Sequence, residues 1–328
     1  MEPSLVAIDS IDPLIRSAVR SQPPAWGQGV RLGLWQGAGA AGTPEALVEN
    51  LERLESVAAC AASHQVQLLA FPELYLSGYA LGAEAAWRLA EAPNGPSLER
   101  VAATARRHGL AIACPYPERA VVAGRECLYD AIALFDQGGQ LLRNYRKTHL
   151  WGPDEALLWT AGYREAEEGP AYTVQEVNGF PLGLLNCYEG EFPELTRLLV
   201  LAGARLVLIL TAADAWMLLS DGRRTDRPYP DVSRTLLPAH AFSNQCFVAY
   251  ANRCGEESVD GQVRGAYLGN SVVAAPDGTL LLAASDEPTL LIADCRPGDY
   301  GPSHPEGTTY LSDRRTDLYG ALAQPQAL

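Results

Sequence analysis

Three side chains able to do acid-base or nucleophilic chemistry stand at the ends of segments that read as strands. Glu73 closes LLAFPE (68–73), Lys147 closes LLRNYRK (141–147) and Cys187 closes LGLLNC (182–187). Each run has the make-up of a buried strand stopping at a polar residue beside a turn or a helix start. Strand ends of α/β folds commonly hold reactive groups, because the sheet fixes them while the following loops leave room for a ligand. A thiol is a weak nucleophile near neutral pH until a base takes its proton, and a carboxylate in a dry pocket can be that base. Glu73 fits the part. Attack on an amide carbonyl puts negative charge on its oxygen, which Lys147 and the backbone N–H of Tyr188 could stabilise. Loss of the amine would leave a thioester on Cys187 for water to cleave. Singly, the same residues have plainer readings: a solvated carboxylate, a surface ammonium, a core thiol. Spacing alone leaves both readings open.

The elements that must position these groups follow from the hydrophobic pattern. Val30 to Trp35 reads as a strand, and Thr43-Pro44-Glu45 offers an N-cap with proline at the first helical position. Leu47, Val48, Leu51, Leu54, Ala58 and Ala61 then recur at helical spacing before a buried strand, Val66 to Phe71. A second helix-strand pair runs from about Leu98 to Cys114, with Gly109 as the helix stop. Hairpins are expected around Gln137-Gly138-Gly139, Asn178-Gly179 and Pro276-Asp277-Gly278. Between the last two lie a helix from Pro193, a strand Leu206 to Thr211, a helix near Val232 to Asn244 and a strand Cys246 to Ala251; Leu290 to Cys295 is the final strand. Two such series, before and after about residue 165, predict an α/β fold of two face-to-face sheets with helices outside, a four-layer α-β-β-α sandwich.

The 328 residues are 48% hydrophobic with no dividing linker, so one domain is expected over 29–295. Residues 1–28 have no sustained period and read as an N-terminal extension; 296–328 read as a C-terminal tail able to reach a neighbouring subunit. The net charge of −14 argues against nucleic acid or an anionic membrane as partner. No apolar run approaches the roughly 20 residues of a membrane span, and Glu2, Asp9 and Asp12 do not suit a signal peptide, so a cytoplasmic protein is expected. The seven cysteines form no CxxC pair and no cluster with histidine, which indicates neither a zinc site nor a disulfide framework.

FPELYLSGY around Glu73, YRKTHLWGPDE around Lys147 and LNCYEGEFPE around Cys187 resemble, in order, the three signature blocks of the nitrilase superfamily of carbon-nitrogen hydrolases. The resemblance runs from about Val30 to Cys295. It implies the α-β-β-α sandwich, a Glu73-Lys147-Cys187 triad, and no metal or organic cofactor. It also implies a part for Glu155, since amidase-like members carry a second glutamate eight residues after the lysine that helps position substrate and lysine. Tyr188-Glu189 is closer to the form common among amidase branches than to that of true nitrilases, while Glu189 and Gly190 depart from the usual residues and predict a different pocket shape there. Asn252-Arg253-Cys254 and YLSDRRTDLY (310–319) also look like amidase branches.

The expected activity is therefore hydrolysis of a small amide to a carboxylic acid and ammonia. A nitrilase, an N-carbamoyl-amine hydrolase, or acyl transfer from the same thioester would share these residues; a non-enzymatic binding protein would more plausibly have lost one of the three. His149, near Lys147, reads as structural, because Glu73 already supplies a proton acceptor, and Trp151 and Trp159 could wall the pocket. Asp214 and Trp216, following the strand that ends at Thr211, are candidate substrate-binding residues suited to a cationic group, with helix capping or an Arg223 or Arg224 contact as the alternative for Asp214. Relatives usually associate, so a homo-oligomer is expected.

Overall fold

The computed structural model describes residues 13–163 and 169–324. In chain order the first half contains β1 (Leu14–Ala18), β2 (Val30–Gln36), α1 (Pro44–Ser63), β3 (Leu68–Ala70), α2 (Ala83–Leu89), α3 (Pro96–His108), β4 (Ala111–Val122), β5 (Arg125–Phe135), β6 (Leu141–Arg146) and α4 (Gly152–Leu158). The second contains β7 (Gln175–Val177), β8 (Phe180–Asn186), α5 (Pro193–Leu201), β9 (Leu206–Thr211), β10 (Asp214–Met217), α6 (Leu236–Asn244), β11 (Phe247–Asn252), β12 (Cys254–Val259), β13 (Gln262–Leu268), β14 (Val272–Ala274), β15 (Leu280–Ala283) and β16 (Thr289–Cys295).

Alternation along the strands builds the four layers. Leu32, Leu34, Leu68, Ala70, Ile132 and Leu134 point inward from a seven-stranded sheet ordered β1-β16-β2-β3-β4-β5-β6, and meet Leu182, Leu184, Leu206, Leu208, Leu210 and Phe247 of a six-stranded sheet ordered β15-β14-β11-β9-β8-β7. The intervening positions face outward, where Leu69, Ile112 and Ile292 pack under α1 and α3. On the opposite side Val207, Ile209 and Val248 pack under α5 and α6. Period-2 burial on both faces of each sheet is what fixes this register. The expected caps are in place: the Thr43 hydroxyl accepts from Ala46 N at 3.1 Å, and Gly109 ends α3 with φ 64°.

Three elements depart from the sequence reading. Leu14–Ala18, inside the segment expected to be unpatterned, is an edge strand pairing in parallel with β16. Its side chains are mostly exposed, so it joins through its backbone and carries little hydrophobic period. Strand β4 continues past Cys114 through Pro115 and Pro117 to Val122. Its β3 partner ends opposite Ala113, so those prolines lie where a ladder N–H has no partner to lose. A third sheet, β10-β13-β12, was not foreseen; it stands beside the sandwich and carries Asp214. Among the described residues no helix is long and apolar enough to cross a membrane.

Candidate active site

The three strand-end residues converge between the two large sheets. Lys147 follows β6 and is fully buried; its Nζ donates to Glu73 Oε1 at 2.6 Å and to Glu155 Oε1 at 2.8 Å, and lies 3.6 Å from Asp130 Oδ2. An ammonium has three N–H groups, so two are engaged by the glutamates and one is left. Burial by itself would lower the Lys147 ammonium's pKa, but Glu155, Glu73, the Cys187 sulfur and Asp130 outweigh it and hold it well above the usual lysine range. Glu155, on α4, also accepts from Tyr79 Oη at 2.6 Å and, through Oε2, from Trp151 N at 2.7 Å. Burial raises its carboxyl above the ordinary value, while Lys147 pulls it down.

Cys187 opens the 3-10 turn Cys187–Glu191 directly after β8, with a φ of 52° that is uncommon for a residue with a side chain. Its Sγ accepts from Thr211 Oγ1 at 3.1 Å. Burial and the Glu73 carboxylate push the thiol well above its normal pKa, against the pull of Lys147. A thiol shifted in this direction needs a base to become a nucleophile. Thr211 also joins the sheets, because its carbonyl accepts from Glu73 N at 3.3 Å. Arg253 completes the Glu73 turn by donating from Nη1 to the Glu73 carbonyl at 3.0 Å, and is itself paired with Glu257 at 3.3 Å. Asn252 holds the neighbouring strand end, accepting from Ala213 N at 2.9 Å and donating to Gly269 O at 2.7 Å.

One acid at the site, Asp130, is not singled out by the sequence. Asp130, on β5, is fully buried; it accepts from Asn186 Nδ2 at 2.9 Å, and its carbonyl accepts from Lys147 N at 2.9 Å. The available signal was one acid inside the otherwise apolar CLYDAIALF (127–135). Glu189 does not shape a pocket; it is a buried anchor accepting from Asn186 N (2.7 Å), Tyr145 Oη (2.8 Å), Thr148 N (2.6 Å) and Thr148 Oγ1 (2.5 Å). It thus pins both flanks of Lys147 to the turn bearing Cys187. Nor does Gly190 open space, since a Cβ there would meet Ile209 side-chain carbons at 2.8 Å. The His149 ring contacts Thr148 Oγ1 at 2.7 Å and Phe192, its centroid 4.7 Å away.

A cavity of about 540 Å³ reaches Glu155 from outside, lined among others by Tyr79, Trp151, Trp159, Met217 and Ser220. Asp214 and Trp216 do not line it. The Asp214 carboxyl is buried, which raises its pKa, and it accepts from Thr225 Oγ1 at 3.5 Å; Arg223 pairs instead with Asp221. The Trp216 ring is covered by the Arg224 guanidinium 4.0 Å from its centroid. Tyr188 packs edge-on against Phe192, ring centroids 4.9 Å apart. Glu73, Asp130 and Glu155 place one oxygen each within 4.8 Å of one another, a spacing that could hold a metal ion, but the Lys147 ammonium is the cation seated among them.

The sequence matches the description "Carbon-nitrogen hydrolase" over residues 31–304. The chain belongs to the carbon-nitrogen hydrolase family. Within this family it is 42% identical over 275 residues to "Hydrolase in pqqF 5'region" of Pseudomonas protegens, covering 84% of this chain and 86% of that one. It is 33% identical over 272 residues to an (R)-stereoselective amidase of Pseudomonas sp, covering 83% of this chain and 87% of the relative. The crystal structure of an amidase from Nesterenkonia sp. superimposes with a TM-score of 0.70 at 29% identity, covering 92% of this chain and 100% of that one. A variant of that amidase carries the acetamide moiety of fluoroacetamide on its active-site cysteine. This carbon-nitrogen hydrolase thus has the four-layer sandwich of the nitrilase superfamily and is an amidase-type hydrolase acting on non-peptide carbon–nitrogen bonds.

Proposed function

We propose that this amidase-type hydrolase converts a small primary amide to its acid and ammonia, with Cys187 as nucleophile, Glu73 as base and Lys147 as oxyanion donor. The observation that carries the assignment is the buried ammonium of Lys147, held at 2.6 Å by Glu73 and 2.8 Å by Glu155 beside the buried Cys187 side chain. Glu73 takes the Cys187 proton as sulfur bonds to the carbonyl carbon. The free N–H of Lys147 and the Tyr188 backbone N–H meet the oxyanion. The proton held on Glu73 then passes to the leaving nitrogen, the C–N bond breaks and ammonia departs. Water, deprotonated by Glu73, adds to the thioester; collapse expels the thiolate, which recovers its proton. Glu155 holds Lys147 in place and, on the cavity floor, faces the incoming amide.

The substrate reading is an amide carrying a basic nitrogen, supported by Asp214, whose buried carboxyl has no cationic partner among the contacts described; Trp216 would take part only if Arg224 left its ring. The protein is further read as a cytoplasmic homo-oligomer. The tail favours association by exposing Leu318 (67%) and Leu322 (71%), and light scattering of the purified chain tests it. The deciding experiment for the chemistry is intact-mass detection of an acyl group on Cys187 across amide, nitrile and carbamoyl panels with ammonia measured in parallel. An adduct mapped to another residue would overturn it.

A further inference from the structure

Around Lys147 the charges do not balance: fully buried Glu73 and Asp130, with Glu155 at the cavity, supply three carboxyl groups to one ammonium. Two oxygens in this cluster, Glu73 Oε2 and Asp130 Oδ2, are fully buried without a hydrogen-bond partner. Two carboxylates cannot satisfy each other, since each only accepts, whereas a carboxylic acid beside a carboxylate can. We propose that Asp130 is a carboxylic acid donating its proton to Glu73, and that it acts as the positioning residue for the base.

A single proton between the two groups satisfies both orphaned oxygens and reduces the cluster from three negative charges to two. Burial, then the adjacent Glu73 carboxylate, raise Asp130 well above the usual carboxylate range, against the pull of Lys147. The other groups facing it are Glu155 on α4, Lys147 after β6 and the Asn186 amide, which donates to Oδ1 at 2.9 Å and leaves Oδ2 to carry the proton. Glu73 then takes the Cys187 proton on a remaining lone pair, while the hydrogen bond from Asp130 keeps its carboxyl plane fixed. As pH rises through the Asp130 pKa the proton is lost, a second full charge appears beside Glu73, and Asp130 competes for the ammonium needed by the oxyanion. The rate should therefore fall on the alkaline side.

Infrared spectroscopy of the full chain should show a deuterium-sensitive carbonyl band of a non-ionised carboxylic acid at neutral pH. In the parent, the band should disappear at the same pH at which kcat/KM falls. In Asp130→Asn, whose amide can still donate to Glu73, the band should be absent and kcat should stay within about tenfold of the parent, with the alkaline limb moved up by about one pH unit or more. Absence of the band in the parent, its persistence in Asp130→Asn, or a hundredfold-lower kcat in that variant with an unmoved limb would each overturn the proposal. The effect on turnover rests on Glu73 being the base. The band does not, so a chain with no amide turnover would still report where the proton resides.

Discussion

The strand-end cluster and the segment Asp214–Thr225 lie near each other and are built in opposite ways. Glu73 and Cys187 each follow a strand buried on both faces, Lys147 follows the edge strand β6, and the cluster is tied by the Thr211–Cys187 bond and by the Glu73 N–H bond that crosses to Thr211 in the other sheet. The Asp214–Thr225 segment belongs to a small side sheet. It is fastened toward α4 by Ser220, whose N and Oγ each donate to Asp154 at 2.8 Å, and its arginines pair locally with Asp221 and Trp216. The first arrangement suits groups that must hold one geometry through a reaction; the second can change its side chains without disturbing that geometry. The proposed chemistry and the proposed selectivity thus rest on differently built supports.

Substitutions separate the two regions by size of effect. Cys187→Ala should abolish turnover with the fold intact, and Cys187→Ser should be nearly inactive, since an alkoxide is far harder to generate than a thiolate with the same base. Measurable ammonia release by the alanine variant would break the comparison at its base. Lys147→Met should lower kcat by about a hundredfold or more, the scale of a lost oxyanion donor, with a smaller change in KM. Near-native acylation of that variant, followed by mass, would put the ammonium outside the chemistry.

Glu189→Gln tests the anchor rather than the reaction. It turns an acceptor for three backbone N–H groups and two hydroxyls into a group that must also donate, so a loss of about 1–3 kcal/mol in denaturant unfolding is expected. A fall in kcat of roughly tenfold should accompany it as Lys147 loses its alignment. Unchanged unfolding would mean the hydrogen bonds are replaced without cost. The smallest effect belongs to the side sheet: Asp214→Asn should reduce the kcat/KM preference for a cationic over an isosteric neutral amide by about three- to thirtyfold, or roughly 0.5–2 kcal/mol. An identical preference in parent and variant would remove Asp214 from selectivity.

What could be read from the sequence follows the same division. Glu73 and Cys187 are legible because each ends an apolar run, and Lys147, after the more polar LLRNYR, because three ordered blocks name the residues together. Asp130 is hidden because it sits inside its run, where a pattern shows burial but not which strand end lies opposite. The hairpin β12–β13 escapes because half of its residues are polar or exposed, although Asp260-Gly261, with φ of 50° and 75°, is a two-residue turn of the expected type. Sheet order was beyond reach: β16 lies between β1 and β2, and β9 between β8 and β11, pairings set by tertiary packing.

The bond from Arg253 to the carbonyl of Glu73 joins residues 180 positions apart. Synthesis runs from the N-terminus, so a ribosome that has released the chain through Cys187 has made a thiol, a lysine and a glutamate but not the arginine that fixes the glutamate's turn, nor β9 with Thr211. Contacts of such separation form late in folding. With the roles proposed above, the nucleophile would meet its base only once β9 and Arg253 have been made and the second sheet has closed.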